Sequence, residues 1–430
     1  MALGAARTGD ETRQLQMVSL DELVAADCRF RRIERLVSWS AVRASAGPFY
    51  TDFGRPSVDP VVLVKLVLVG AVEGIGSMRR VLRVAGDSLA IRRFLGYGLT
   101  EALPSHATVS HAQTQRFAGS SVFEQLFTQV LGQCREHGLL DGQRLVVDAT
   151  HVEADAALKS LRAELTVIDG DGDGDGDGDG RDDDDDASGG RPALALAAPR
   201  SGPTPRRTAS NATAISRTDA DAKLRHKPGQ RPHLVHRVQV ASDPKARVIV
   251  AVQAERATGH EGDALPALIA RARWAGHHVL ELCADQGYAG RDVYRALDAL
   301  GVTAFIPPQA HQAKKGLEAQ AARARCKTPA GVSATIDRMT HGEGAISELK
   351  LCHGLDRARR RSTSALQLQA LVAATAINLK RLLSRPDAAH NTAGDDSRAR
   401  VGIFSITIER CARWLTRPPA SATATSLTAS

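Results

Sequence analysis

A long acidic, glycine-rich break interrupts this chain, and it limits how the fold can be built. From about residue 160 to 213 the composition shifts to DGDGDGDGDGDG, then RDDDDD, then a stretch rich in Ser, Gly, Pro and Ala. Such a segment has too little apolar surface to offset the entropy lost on ordering, so 160–213 is expected to be a disordered insertion. Any globular fold must then be assembled from the segments on either side. The run from Asp169 to Asp186 holds eleven Asp and one Arg, a charge of −10. The chain as a whole carries +8, which leaves +18 on the remainder. A surplus of that size favours polyanionic partners, nucleic acid first. The Asp/Gly run opens like a calcium-binding loop. Its twelfth position is Gly180 counted from Asp169, or Asp182 counted from Asp171, where that loop needs Glu, and no helix flanks it, so specific calcium binding is not expected.

The N-terminal part reads as helical. Ser19 and Glu22 have capping-box spacing ahead of an apolar-periodic stretch to Val42. Asp59-Pro60 supplies an N-cap and a first-turn proline for the apolar run to Val72, which Gly74 and Gly76 end. That run contains Lys65 and is too short to cross a bilayer, so a buried helix is expected. MRRVLRVA and SLAIRRFLG follow as two short helices about Gly86-Asp87. With Arg79, Arg80, Arg83, Arg92 and Arg93 they resemble a helix-turn-helix, alongside the plainer reading of a small bundle with surface arginines. The six cysteines form no CxxC pair, so no zinc ribbon or redox motif is present, and they fit a reducing cytoplasm. The N-terminus has no signal-peptide core.

Strand signals begin after a helix at Val122 to His137. Leu145, Val146 and Val147 read as a central strand ending in Asp148. Beyond the insertion, Val235 to Val240 and Val248 to Val252 form a hairpin about Ser242-Asp243-Pro244-Lys245. A helix from Asp263 to Trp274 follows. His278 to Cys283 then makes a strand ending just before Asp285. Asp292 to Leu300 is a helix, Val302 to Ile306 a strand, Gly344 to Cys352 a helix and Ser364 to Leu383 a long apolar helix. Ala310 to Pro329 is basic and ill-defined, and an apolar island at Ile403 to Trp414 lies in the polar tail. A hairpin followed by alternating strands and helices implies an α/β fold, with a mixed sheet and flanking helices.

Asp148 and Asp285 hold matched places where strands leave an open sheet, the rim at which ligands collect. Alone, either would more often be a turn cap. Glu343 opens a late helix. Three converging carboxylates make a hard oxygen site suited to Mg²⁺ or Mn²⁺, and two such ions could serve phosphodiester chemistry. His151, Glu153 and Asp155 follow Asp148 and read as supporting or solvated groups. Arg357, Arg359, Arg360 and Arg361 form a basic cluster suited to a nucleic-acid backbone. There is no GxxxxGK[ST] loop and no GxSxG elbow, and His260-Glu261 starts an HExxH string that fails at Ala264.

The ordered motifs VVDATHVEADA, SRTDADAKLRHKPGQRPHLVHRVQVASDPKARVIVAV, ADQGYAGRDVYRAL, EGAISELKLCHGLDRARRRS and AINLKRLL resemble a DDE-type insertion-sequence transposase of bacteria. GRPSVDPVVLVKLVLVGAVEGIGSMRRVLR resembles the N-terminal helical domain of the same group. The resemblance covers about residues 20 to 385 outside the insertion. It implies an RNase H-like catalytic domain in which Asp148, Asp285 and Glu343 are the catalytic, metal-binding acids for two Mg²⁺ (or Mn²⁺) ions. Lys350, in E-x6-K with Glu343, would approach a DNA phosphate, and Glu348 is the fallback for Glu343. The group often carries an Arg four residues before the Glu; here that position is Met339, with Arg338 one step away.

The implied organisation is a disordered 1–18, a helical DNA-binding domain 19–120, a linker helix and first catalytic strand 121–159, the insertion 160–213, the rest of the catalytic domain 214–384 and a disordered tail 385–430. Implied partners are double-stranded DNA, as terminal inverted repeats and target, and further copies of the chain on DNA, without a membrane. Arg79, Arg80, Arg83, Lys350 and the Arg357–Arg361 cluster would contact DNA. The place of action would be the cytoplasm, at the nucleoid. A nuclease of similar fold that lacks strand transfer, and an inactive DNA-binding remnant, are the alternatives.

Overall fold

The computed structural model describes residues 17–51, 53, 57–117, 119–163, 214–226, 231–309 and 316–385. The Asp/Gly run, the island at Ile403 to Trp414 and the first sixteen residues lie outside the described residues. Contacts divide the chain into a unit Met1–Leu382 and a second unit Leu383–Ser430, and the fold below is that of the first.

The helical part comprises α1 (Leu20–Leu23), α2 (Arg29–Leu36), α3 (Trp39–Ala46), α4 (Pro60–Val72), α5 (Met78–Asp87), α6 (Leu89–Leu95) and α7 (His106–His111). The capping box forms, with Ser19 and Glu22 bonding each other's backbone N–H at 3.1 and 2.8 Å. The helix it starts is a single turn, however. Asp59 caps α4 by accepting from Val61 N at 2.9 Å. The α4 helix is buried from Leu63 to Ala71, Lys65 included. The Lys65 ammonium donates to the Phe94 carbonyl (2.5 Å) and to Glu34 (3.1 Å), and it lies over the rings of Trp39 and Phe94. Burial holds the Lys65 pKa below the usual lysine range, against the pull of Glu34.

Next come α8 (Val122–Glu136), β1 (Arg144–Glu153), β2 (Leu161–Ala163), β3 (Ala214–Ser216), β4 (Lys223–Arg225), β5 (His233–Asp243), β6 (Val248–Arg256), α9 (Leu265–Trp274), β7 (Glu281–Cys283), α10 (Arg291–Ala299), β8 (Thr303–Phe305), α11 (Leu317–Cys326), α12 (Pro329–Asp337), α13 (Glu343–His353) and α14 (Thr363–Leu383). The sheet is mixed. β1 pairs antiparallel with β5, which carries β6 and β4 on its other side. β7 lies parallel to β1, and β8 parallel to β7.

Several boundaries differ from expectation. Residues 160–163 are ordered, and β2 pairs with β3 at Leu161↔Ser216, so a short ladder closes the base of the insertion. The strand expected from His278 shortens to Glu281–Cys283, because Val279 has a φ of 34° that extended pairing does not allow. Ala310 to Pro329, ill-defined in sequence, contains α11, whose alanine-rich stretch buries Ala319 and Ala322.

The edge of β6 is sealed by side chains. Asn378 of α14 accepts from Ile249 N and donates to Ile249 O, both at 2.8 Å. Gln367 accepts from Ala254 N at 2.7 Å and donates to Val252 O at 3.1 Å. The buried Asn378 amide and the half-buried Gln367 amide thereby satisfy backbone groups that a neighbouring strand would otherwise take.

Candidate active site

Asp148 lies in the middle of β1, not at its end as the sequence suggested. On one side its pairing continues through Asp148↔Val240 to Glu153↔Val235. On the other, pairing with β7 stops at Val146↔Cys283. Asp148 is therefore mid-strand toward β5 and strand-end toward β7. Carried two residues further, the β1–β7 register sets Asp148 opposite Asp285, with cross-strand partners facing the same side. Asp285 caps the turn Gln286–Tyr288 by accepting from Gly287 N at 2.8 Å through Oδ1. Turn cap and site residue are thus compatible roles, since one bond leaves the other carboxylate oxygen uncommitted.

Glu343 approaches from the opposite layer. A Cβ on the preceding Gly342 would meet Val146 Cγ1 at 2.9 Å and Asp148 Cβ at 4.0 Å, so only glycine lets the helix come this near β1. The five residues before α13, Arg338–Gly342, form a π turn. A π turn takes up one extra residue relative to an α turn. Arg338 therefore shares a face with Glu343 across five positions, and its guanidinium lies 3.6 Å from the Glu343 carboxylate. The position four before Glu343, Met339, is exposed. Glu348, the fallback, is ion-paired with Lys380 (2.5 Å) and Arg381 of α14.

Asp148 feels the charges of both other acids. Burial pushes the Asp148 carboxyl up to about 6; its bond from Ala149 N opposes this, the charge of Asp285 adds to it, Arg338 opposes and Glu343 adds again. Tyr288, fully buried, has its pKa raised well above the usual range by burial and then by the charges of Glu261, Asp148 and Asp285. Its hydroxyl hydrogen-bonds Gln239 of β5.

Glu261 was missed in the sequence except as part of a failed HExxH string. It opens the turn before α9, and its carboxyl is raised by burial and by the charge of Asp285. Asp219 and Asp221 were also missed. Asp219 pairs with the buried His236 at 2.9 Å and accepts from Ser362 N, and Asp221 accepts from Thr363 N, so they cap the start of α14. Their only sequence signal was the T-D-A-D string.

The basic residues divide by role. Arg79, Arg80 and Arg83 are exposed along α5. Arg92 is taken up by the carbonyls of Gly86, Gly98 and Glu101, and Arg93 by Asp21 and Glu34, so these two serve the bundle rather than its surface. Lys350 Nζ donates to the His151 carbonyl of β1 at 2.9 Å. Arg357 and Arg361 are exposed, the former near Glu153. Arg359 lies against Gly76 and Gly354, while Arg360 reaches Ser110 at 3.2 Å and Gln113. His151 and Glu153 alternate with Asp148 along β1 and so occupy its opposite face.

Two family models match the chain. Residues 18–115 match the model described as Transposase domain (DUF772), and residues 308–383 match the one described as Transposase DDE domain. Together the two matches support an insertion-sequence DDE transposase. No curated protein and no solved structure matches it. Arg338, Glu343 and Lys350 lie inside the second matched stretch, and Asp148 and Asp285 between the two. DNA transposition is the function its two transposase domains indicate, and such domains imply DNA as partner.

Transposases of this kind typically use a divalent metal. Among the described residues, no three His, Cys, Asp or Glu side chains are already gathered into a closed metal-ligand set. The donor chemistry nevertheless suits a hard cation: carboxylate oxygens of Asp148 and Asp285, with the Arg338 guanidinium as an internal positive charge beside Glu343. Among the described residues no helix is long and apolar enough to cross a membrane.

Proposed function

We propose that the sheet is an RNase H-like catalytic core in which Asp148, Asp285 and Glu343 carry the phosphoryl-transfer chemistry of transposition. What supports this reading is the β1–β7 register, which, continued two residues past its last pair Val146↔Cys283, brings Asp148 beside Asp285, together with the close approach of Gly342, next to Glu343, to β1. The antiparallel β1–β5–β6 meander followed by the parallel β7 and β8 supports the fold assignment.

These carboxylates would hold two Mg²⁺ ions, or Mn²⁺, which when bound polarise the scissile phosphate and lower the pKa of an attacking water or 3′-hydroxyl. The chain's own part is positioning. Gln239 and Tyr288 fix the turn bearing Asp285, and the π turn orients Glu343. Arg338 would shield Glu343 until the site is loaded. The helical segment 19–120, with Arg79, Arg80 and Arg83, would bind the element's terminal repeats, and 121–159 with 214–384 would form the catalytic domain. Arg357 and Arg361 would track the DNA backbone. The exposed Arg359 would join them, whereas Arg360 and Lys350 would set the local frame and reach DNA only on rearrangement. Hydrolysis at the element end and transfer of the freed 3′-hydroxyl to target DNA would follow on one site, with copies of the chain joined on DNA in the cytoplasm, at the nucleoid.

The test is a cleavage and strand-transfer assay with DNA carrying the element's ends. Asp148→Asn should abolish both end cleavage and joining of a pre-cut end in Mg²⁺. Retained cleavage by that variant would overturn the assignment.

A further inference from the structure

We propose that Glu261 is a fourth carboxylate of this cation site, acting on the same ion as Asp285. The inference rests on the metal-site reading above and adds a residue to it. A Cβ on Gly287 would lie 2.7 Å from Glu261 Oε2 and 2.9 Å from Asp285 Oδ1. Both carboxylates therefore close on Gly287, where glycine leaves room; Asp285 Oδ1 also accepts from Gly287 N, which leaves its other oxygen for a shared ion. The positive charges that act on Glu261 are Arg237, His260 and Arg225, in that order. Arg237 is already held by Glu255 at 2.6 Å and by the Thr258 carbonyl at 2.9 Å. His260 is held at Gly262 N and the Ala289 carbonyl.

The arrangement is also fixed from below. Gln239 donates to the Glu261 carbonyl at 3.2 Å and to Glu255 at 2.9 Å, and the Tyr288 hydroxyl binds the same amide. One buried side chain of β5 thus holds both the turn bearing Glu261 and the turn bearing Asp285. Two carboxylates held rigidly across a gap repel, and a cation between them reverses the sign of that interaction.

The experiment is Mn²⁺ titration of the full-length chain by calorimetry, with Glu261→Gln, Gly287→Ala and Asp285→Asn beside the parent. Melting in EDTA checks the fold, and Glu261→Gln should melt no lower than the parent. Glu261→Gln should weaken Mn²⁺ binding by about tenfold or more, and raise the Mg²⁺ concentration needed for half-maximal end cleavage. Gly287→Ala, which keeps both acids but fills the gap, should weaken Mn²⁺ binding likewise. Parent-like affinity in both variants, with binding lost in Asp285→Asn, would overturn the role of Glu261 and leave the three-acid site standing. Parent-like affinity in Asp285→Asn as well would overturn the metal-site reading, and the role of Glu261 with it.

Discussion

Replacing Asp148 by Asn should make the metal-free protein more stable while removing activity. Burial and the charges of Asp285 and Glu343 raise this carboxyl from 3.8 to about 6. The folded state therefore binds its proton more tightly than the unfolded chain does. By linkage, stability falls as pH rises from about 4 through about 6, and above that the full penalty is present. A shift of about two units corresponds to about 3 kcal/mol, and partial access of water reduces it to about 1–3 kcal/mol. Asn removes the charge and keeps an Oδ1 able to accept from Ala149 N, as Asp148 does at 2.8 Å. Urea unfolding in EDTA should thus show Asp148→Asn more stable than the parent by about 1–3 kcal/mol at about pH 8, with the gain vanishing near about pH 4. Saturating Mg²⁺ should narrow the gap, because the parent gains more from binding. An Asn variant that is less stable at about pH 8, or whose gain is equal at both pH values, would refute the electrostatic account.

Lys65→Ala should destabilise by about 2–4 kcal/mol in urea unfolding, since it leaves the Phe94 carbonyl unpaired and opens a gap between two rings, while Lys65→Met should recover much of the packing. Asp219 is drawn up by burial but held below the usual carboxylate range by His236 and by the N–H groups of Ser362 and Asp221. Its contribution is present above the unfolded pKa and lost on acidification, so Asp219→Asn should cost about 1–3 kcal/mol near neutral pH and almost nothing near about pH 3. Deleting Met339 should convert the π turn into an α turn and keep Arg338 on the Glu343 face; a melting temperature close to the parent's is expected, whereas deletion of the buried Ala345 should unfold α13.

Much of the fold was legible because its signals were local. Asp59-Pro60 fixed the start of α4, and the alternation of apolar runs and turn residues located β5, β6 and α14. Asp148 and Asp285 could be singled out because each ends or interrupts an apolar run. Their lateral match was not legible, since register depends on a pairing between residues 137 apart in sequence. Glu261 was hidden for the same reason: its significance comes from Gly287, on another element. The spacing of Arg338 looked wrong only when counted in α-helical turns. Lys65 read as an interruption of an apolar helix, because nothing local announces the rings and the carboxylate that receive it.

The amide seal along β6 bears on how copies of this chain can assemble. Asn378 and Gln367 occupy the hydrogen-bonding groups that an incoming strand would need. At the far edge, β8 packs against α10, α11 and α12. A second subunit therefore cannot dock by prolonging the sheet across β6, and strand exchange along that margin is blocked at the level of the backbone. Any contact made at this margin would have to use side chains and helix surfaces, and would leave undisturbed the strands that carry Asp148 and lead to Asp285.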